Sequence, residues 1–141
     1  MYIKNGKNPQ LIEMVVDYIQ KGLSIPVTYQ PWEKTDRVPL YLRSRYLFFT
    51  LNIQSQTFLL FINQNEFEQT PVKLRNSIDF IKKKWRIDVI YSSSKITFYN
   101  RQRFIELNIQ FIIPYNQMYL PSLGFELREN LKKFRYNNPF I

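Results

Sequence analysis

Two apolar runs of strand composition, Tyr46 to Ile53 (YLFFTLNI) and Thr57 to Ile62 (TFLLFI), stand only three residues apart. Runs this short, rich in β-branched and aromatic residues, favour strands over helices, and the Gln54-Ser55-Gln56 link predicts a hairpin. Both runs are dense enough in apolar residues to require cover on both faces of the sheet they join.

The rest of the chain supplies that cover. Between Pro9 and Lys21, apolar residues Leu11, Ile12, Val15, Val16 and Ile19 recur at helical spacing, with Gly22 placed as a C-terminal cap. Thr70-Pro71 is a helix start, a capping hydroxyl followed by proline at the first helical position. From it Leu74, Ile78, Ile81 and Trp85 form one stripe, with Lys73, Arg75 and Lys82 to Lys84 on the other faces. Arg86 to Tyr91 reads as a buried strand, Ser92 to Ser94 as a loop, and Thr97 to Leu107 as a second helix closed by Asn108. Ile109 to Ile113 and Gln117 to Leu120 read as strands around a Pro114-Tyr115-Asn116 turn, and Pro121 stops the second. Residues 26–39 hold three prolines and mixed charges, which predicts irregular structure with Trp32 as an anchor. The charged segment Glu126 to Arg135 reads as helical.

Strand, helix, strand, helix, strand in succession predicts an α/β (mixed α+β) single domain: a mixed sheet with at least three parallel strands, β-hairpins and flanking helices. Its expected parts are an N-terminal helix at 1–25, an irregular connection at 26–45, a β-β-α-β-α-β-β core at 46–121 and a helical tail at 122–141. With 141 residues, 45% of them hydrophobic and 17% aromatic, the chain has the material for one real core.

What chemistry the chain can perform is narrowed by absences. It contains neither cysteine nor histidine, so thiolate nucleophiles, sulfur-ligated metals and imidazole acid–base chemistry are excluded. No apolar run is long enough to span a bilayer and no signal-peptide succession opens the chain, so a cytoplasmic protein without a membrane partner is expected. The lack of alanine beside abundant Ile, Asn, Lys, Tyr and Phe has the look of an AT-rich genome, a low-GC bacterium or one of its mobile elements.

Twenty Lys and Arg against eleven Asp and Glu give a formal charge of +9, which favours an anionic partner. The densest positive stretch runs from 82 to 103. Lys82, Lys83, Lys84, Arg86, Lys95, Arg101 and Arg103 are opposed there only by Asp88. As a function, this is a phosphate-contacting rim, with Tyr91, Phe98 and Tyr99 available to stack on bases. The alternative is a solvated helix face whose lysines complement the helix macrodipole, with the aromatics in the core. Tyr99, Asn100 and Arg101 could read an anion at a helix start, or tie the preceding loop to that helix. The candidate contacts for nucleic acid or an anionic partner are therefore Lys82, Lys83, Lys84, Lys95, Tyr99, Asn100, Arg101 and Arg103.

A metal-dependent nuclease needs an acid at one strand end and an acid-x-Lys pair on the next strand. Asp88 has no such partner in sequence, Glu66 and Glu68 fall in a loop, and Glu126 follows the final strand. No glycine-rich phosphate loop is present, since the three glycines stand alone. No catalytic residue, metal or cofactor is assigned.

Leu40-Tyr-Leu-Arg43, the 46–62 hairpin, Thr70-Pro71-x-x-Leu74-Arg75, Tyr99-Asn-Arg-x-Arg103-x-Ile105-Glu106, Ile109-x-Phe111-Ile112-x-Pro114, Gln117 to Pro121 and Leu123-Gly124-x-x-Leu127-Arg128-Glu129 together resemble the N-terminal domain of Firmicute proteins described as MarR-type winged-helix transcriptional regulators. The resemblance spans roughly residues 35–130. No recognition helix and wing accompany it in this sequence. It implies a regulator's other module, used for sensing, dimerisation or partner contact, with itself or a full-length regulator as partner. The leading expectation is thus a non-enzymatic interaction module. Direct DNA or RNA binding through the 82–103 rim comes second, and a nuclease-like enzyme, intact or degenerate, third.

Overall fold

Chain order and sheet order coincide. In the computed structural model, which describes residues 2–65, 67 and 69–128, seven strands lie side by side in the order in which they are made. They are β1 (Val27–Pro31), β2 (Tyr46–Ile53), β3 (Gln56–Asn63), β4 (Asp88–Ser92), β5 (Gln110–Ile113), β6 (Gln117–Leu120) and β7 (Phe125–Arg128). The β3–β4 and β4–β5 pairs are parallel and the remaining neighbours antiparallel. Parallel neighbours need a crossover. Helices α3 (Pro71–Trp85) and α4 (Phe98–Glu106) supply the two of them, while α1 (Tyr2–Leu23) and the single turn α2 (Leu40–Arg43) precede the hairpin.

Side-chain alternation assigns the two faces. Leu59, Phe61, Val89, Tyr91, Phe111 and Ile113 point to the layer formed by α3, α4 and Leu42 of α2. Leu60, Ile62, Ile90 and Ile112 point the other way, under Ile12, Val15 and Ile19 of α1. The result is a three-layer α/β/α domain whose two crossover helices share a face, as successive crossovers of one hand require. Each helix starts where its hydroxyl cap stands: Thr70 Oγ1 accepts from Lys73 N at 3.4 Å, and Thr97 Oγ1 from Asn100 N at 3.1 Å.

Several local expectations are corrected. The segment 26–45 is not irregular: it holds β1, a 3-10 turn at Thr35–Arg37 and α2. Pro31 is tolerated because it ends an edge strand, where a missing N–H costs nothing. Trp32 follows, buried, with its ring edge-on to Trp85 at 4.9 Å. The tail at 122–128 is not helical either. After a 3-10 turn at Pro121–Leu123, Gly124 takes a left-handed conformation (φ 67°) and β7 pairs with β6. Phe125 and Leu127 pack on the α1 side, so this short charged segment is stabilised as a strand by burying alternate residues. The expected helix beyond Arg128 lies outside the described residues. Gly22 is not a cap but lies within α1, where a Cβ would stand 2.7 Å from the Met118 terminal methyl. Its role is close approach of α1 to β6.

The hairpin link is two residues rather than three, because Gln56 already pairs with Ile53. Gln54 and Ser55 both adopt left-handed conformations, φ 51° and 68°, the signature of a type I′ turn. Neither residue prefers that region. Replacing them with Asn-Gly is expected to raise the unfolding free energy by about 1 kcal/mol, seen as a higher urea midpoint at unchanged m.

Candidate functional site

The basic residues that are adjacent in sequence do not form one surface. Lys82 bonds Asp88, the first residue of β4, at 3.6 Å, and Lys84 sits 5.0 Å over the Trp85 ring in the same last turn of α3. Lys95 follows the opposite end of β4, whose five residues span about 16 Å. The continuous 82–103 rim is thereby split by the strand in its middle. Lys83 and Lys84 stay exposed on α3, Lys95 on the loop before α4.

Arg101 is the principal correction. It is buried, 7% exposed, with Nε donating to Gln117 Oε1 at 2.7 Å and a terminal nitrogen to Glu126 Oε2 at 2.7 Å. Burial and then neighbouring Arg128 lower its pKa, and Glu126 opposes them. Arg101 therefore clamps α4 to β6 and β7 instead of facing a partner. Its position three residues before Phe104, the other buried residue of α4, was the sequence signal for this. Arg103 is more open and donates to Glu106 Oε1 at 2.8 Å, a bond that raises its pKa. The Asn100 backbone N–H is spent on the helix cap, whereas Phe98 and Tyr99 are exposed. Tyr91, offered as a stacking residue, is core.

Among the described residues the carboxylates do not converge. Asp88 is bonded to Lys82, Glu126 to Arg101, and Glu66 and Glu68 lie outside the described residues. Among the described residues no cluster of three His, Cys, Asp or Glu could hold a metal ion, and no helix is long and apolar enough to cross a membrane.

What the fold does bring together is an apolar and basic face over α2 and α3. Leu40 and Tyr41 on α2, Phe67 in the connection after β3, and Val72 and Phe80 on α3 are all exposed. Tyr41, Gln69, Lys73, Asn76 and Ser77 line a groove of about 380 Å³ between the two helices. At 100° per residue, Lys73, Asn76, Phe80 and Lys84 lie along one flank of α3, so Phe80 extends the groove by a turn. The connection is held where it is: Phe67 O accepts from an Arg45 guanidinium nitrogen at 2.8 Å and from Asn63 Nδ2 at 3.3 Å, and buried Tyr46 donates to Gln69. Burial, then the nearby Tyr91, raises the Tyr46 pKa, so the hydroxyl stays protonated as a donor. The one acid on this stretch of helix, Asp79, is taken by Arg75. Among the described residues, Lys73, Lys83 and Lys84 form no ion pair with a carboxylate.

Composition favours an anionic partner, and the candidate contacts read from the sequence at 82–103 do not include Tyr41 or Phe80. The signal was there as two large apolar residues, Val72 and Phe80, lying off the Leu74-Ile78-Ile81 stripe. In comparisons with known proteins the chain matches no family model, no curated protein and no solved structure.

Proposed function

We propose that the chain is a non-enzymatic interaction module, of the kind found beside the DNA-reading part of a transcriptional regulator, that docks an acidic amphipathic protein segment on its α2–α3 face. The observation that carries this reading is the groove between α2 and α3 lined by exposed Tyr41 and Lys73, on elements that also expose Leu40, Val72 and Phe80, with Phe67 exposed in the connection before α3. Large apolar side chains held on a fixed backbone and ringed by charge are what a protein interface uses as anchors. The surrounding lysines select for acid. Direct nucleic-acid contact is the second reading, favoured by exposed Phe98 and Tyr99 near Lys95.

The test uses a synthetic helical peptide with a leucine stripe and glutamates elsewhere, its lysine counterpart, and a generic DNA duplex. The acidic peptide is expected to bind and the lysine peptide not to. Tyr41→Ala/Phe80→Ala should weaken binding at least tenfold, since each anchor contributes on the order of 1 kcal/mol. Moderate salt should weaken the peptide complex far less than a phosphate-driven one. If the double variant binds the peptide as well as the parent does, the docking face is wrong. Tight DNA binding that falls steeply with salt and ignores the double variant would establish the second reading instead.

A further inference from the structure

The three parallel strands end level with one another, and a second cleft opens where they stop. Ile62, Ser92 and Ile112 are in register, and β3 ends at Asn63, β4 at Ser92 and β5 at Ile113, within one residue of one another. Both crossovers leave this edge toward the α3–α4 face, so they do not cover its α1 side. On the α1 side of this edge lies a cleft of about 290 Å³. Its apolar wall is Leu11, Met14 and Val15 of α1 with Ile62 and Pro114, and its polar wall is residues 63–65 and 92–94.

The polar wall divides into groups that are used and groups that are offered. Asn63 is used: Nδ2 donates to Tyr91 Oη at 3.2 Å and Phe67 O at 3.3 Å, and Oδ1 accepts from Asn65 N at 3.0 Å. Ser92 Oγ donates to Ile112 O, and Ser93 Oγ to Lys95 O. These bonds fix the backbone of both segments. Gln64, Asn65 and Ser94, by contrast, have side chains outside that network and lie on the rim with donors and acceptors to give. Among the described residues, none that lines the cleft carries a charge.

We propose that this cleft binds an uncharged planar heterocycle of nucleobase size with amide-like edges. Carboxamides of Asn and Gln present a paired donor and acceptor that match such an edge. The methionine and leucine wall gives the ring a flat apolar face to lie on, and Met adapts to its outline. The described lining offers amides and hydroxyls rather than a cation, which suits a neutral ring better than a phosphate or carboxylate. This site is separate from the α2–α3 face, being on the other side of the sheet.

The test is titration of protein carrying ¹³C-methyl methionine with uracil and nicotinamide, and with orotate and benzoate as charged controls. A saturable shift of the Met14 methyl with the neutral probes is expected, with Met118, packed under Gly22, unmoved. Asn65→Ala and Ser94→Ala, each at an exposed position, should weaken binding about three- to tenfold apiece through loss of one neutral hydrogen bond. Absence of a Met14 shift, equal binding of benzoate, or unchanged affinity in both variants would each overturn the proposal.

Discussion

Phe104→Ala is expected to lower the unfolding free energy by about 3–5 kcal/mol, moving the thermal midpoint down by roughly 10 °C for a domain of this size. The ring is fully buried under α4, edge-on to Tyr91 at 5.4 Å and tilted against Phe111 at 5.8 Å. Those two rings sit on adjacent parallel strands and contact Tyr46 and Tyr119 in turn, so Phe104 is the link by which one helix grips a row of aromatics across the sheet. Alanine leaves a cavity that rigid rings cannot close. Phe98→Ala on the same helix is the control: its ring is 68% exposed, and its loss should change stability by less than about 0.5 kcal/mol. Equal midpoints for the two variants in calorimetry would mean that α4 is not packed as described.

Arg101→Ala should cost about 2 kcal/mol. It removes two charge-assisted bonds and leaves Gln117 without its donor. The cost falls short of that for a fully buried ion pair because Glu126 is 49% exposed and water can solvate it once the guanidinium is gone. Arg101→Met, of similar length and apolar, should recover part of the loss by filling the space under α4. Arg103→Ala should be close to neutral, since its bond to Glu106 is an exposed pair three residues apart on one helix. Chemical denaturation of the three variants separates a clamp from a partner contact: a partner-binding Arg101 would leave the midpoint where it was.

The hairpin, both crossover helices and the order of the core were legible because each rests on a local rule that tertiary packing did not overturn. Thr70 and Thr97 begin helices for the same reason in the sequence and in the structure. β1 and β7 were not legible, and for a shared reason. Among the described residues both are edge strands, so neither needs the apolar density that marked β2 and β3. VTYQP was masked by its proline and FELR by its charges. The alternation of FELR, with Phe125 and Leu127 inward, was a strand signal too short to outweigh the charged run that follows it. At the site, sequence proximity stood in for spatial proximity. Lys82 to Arg103 is one stretch on paper, but β4 carries its two halves apart and the packing of α4 turns Arg101 inward. No period or motif announces a groove between α2 and α3, because it depends on how two helices separated by a hairpin come to rest.

A sheet laid down in chain order has a consequence for synthesis. Each new strand finds its hydrogen-bonding neighbour already made, so the sheet can lengthen at one edge as residues emerge, with few long loops to close at any step. The first helix is the exception. α1 leaves the ribosome ahead of every strand it covers, yet part of its seat is built late: Asp17 accepts a hydrogen bond from the hydroxyl of Tyr115, 98 residues downstream, and Gly22 waits for Met118. At roughly 5–20 residues per second that wait is about 5–20 s. Throughout it, the row Ile12, Val15 and Ile19 has only the first half of the sheet to lie against, and a nascent-chain chaperone would find its binding stretch in α1.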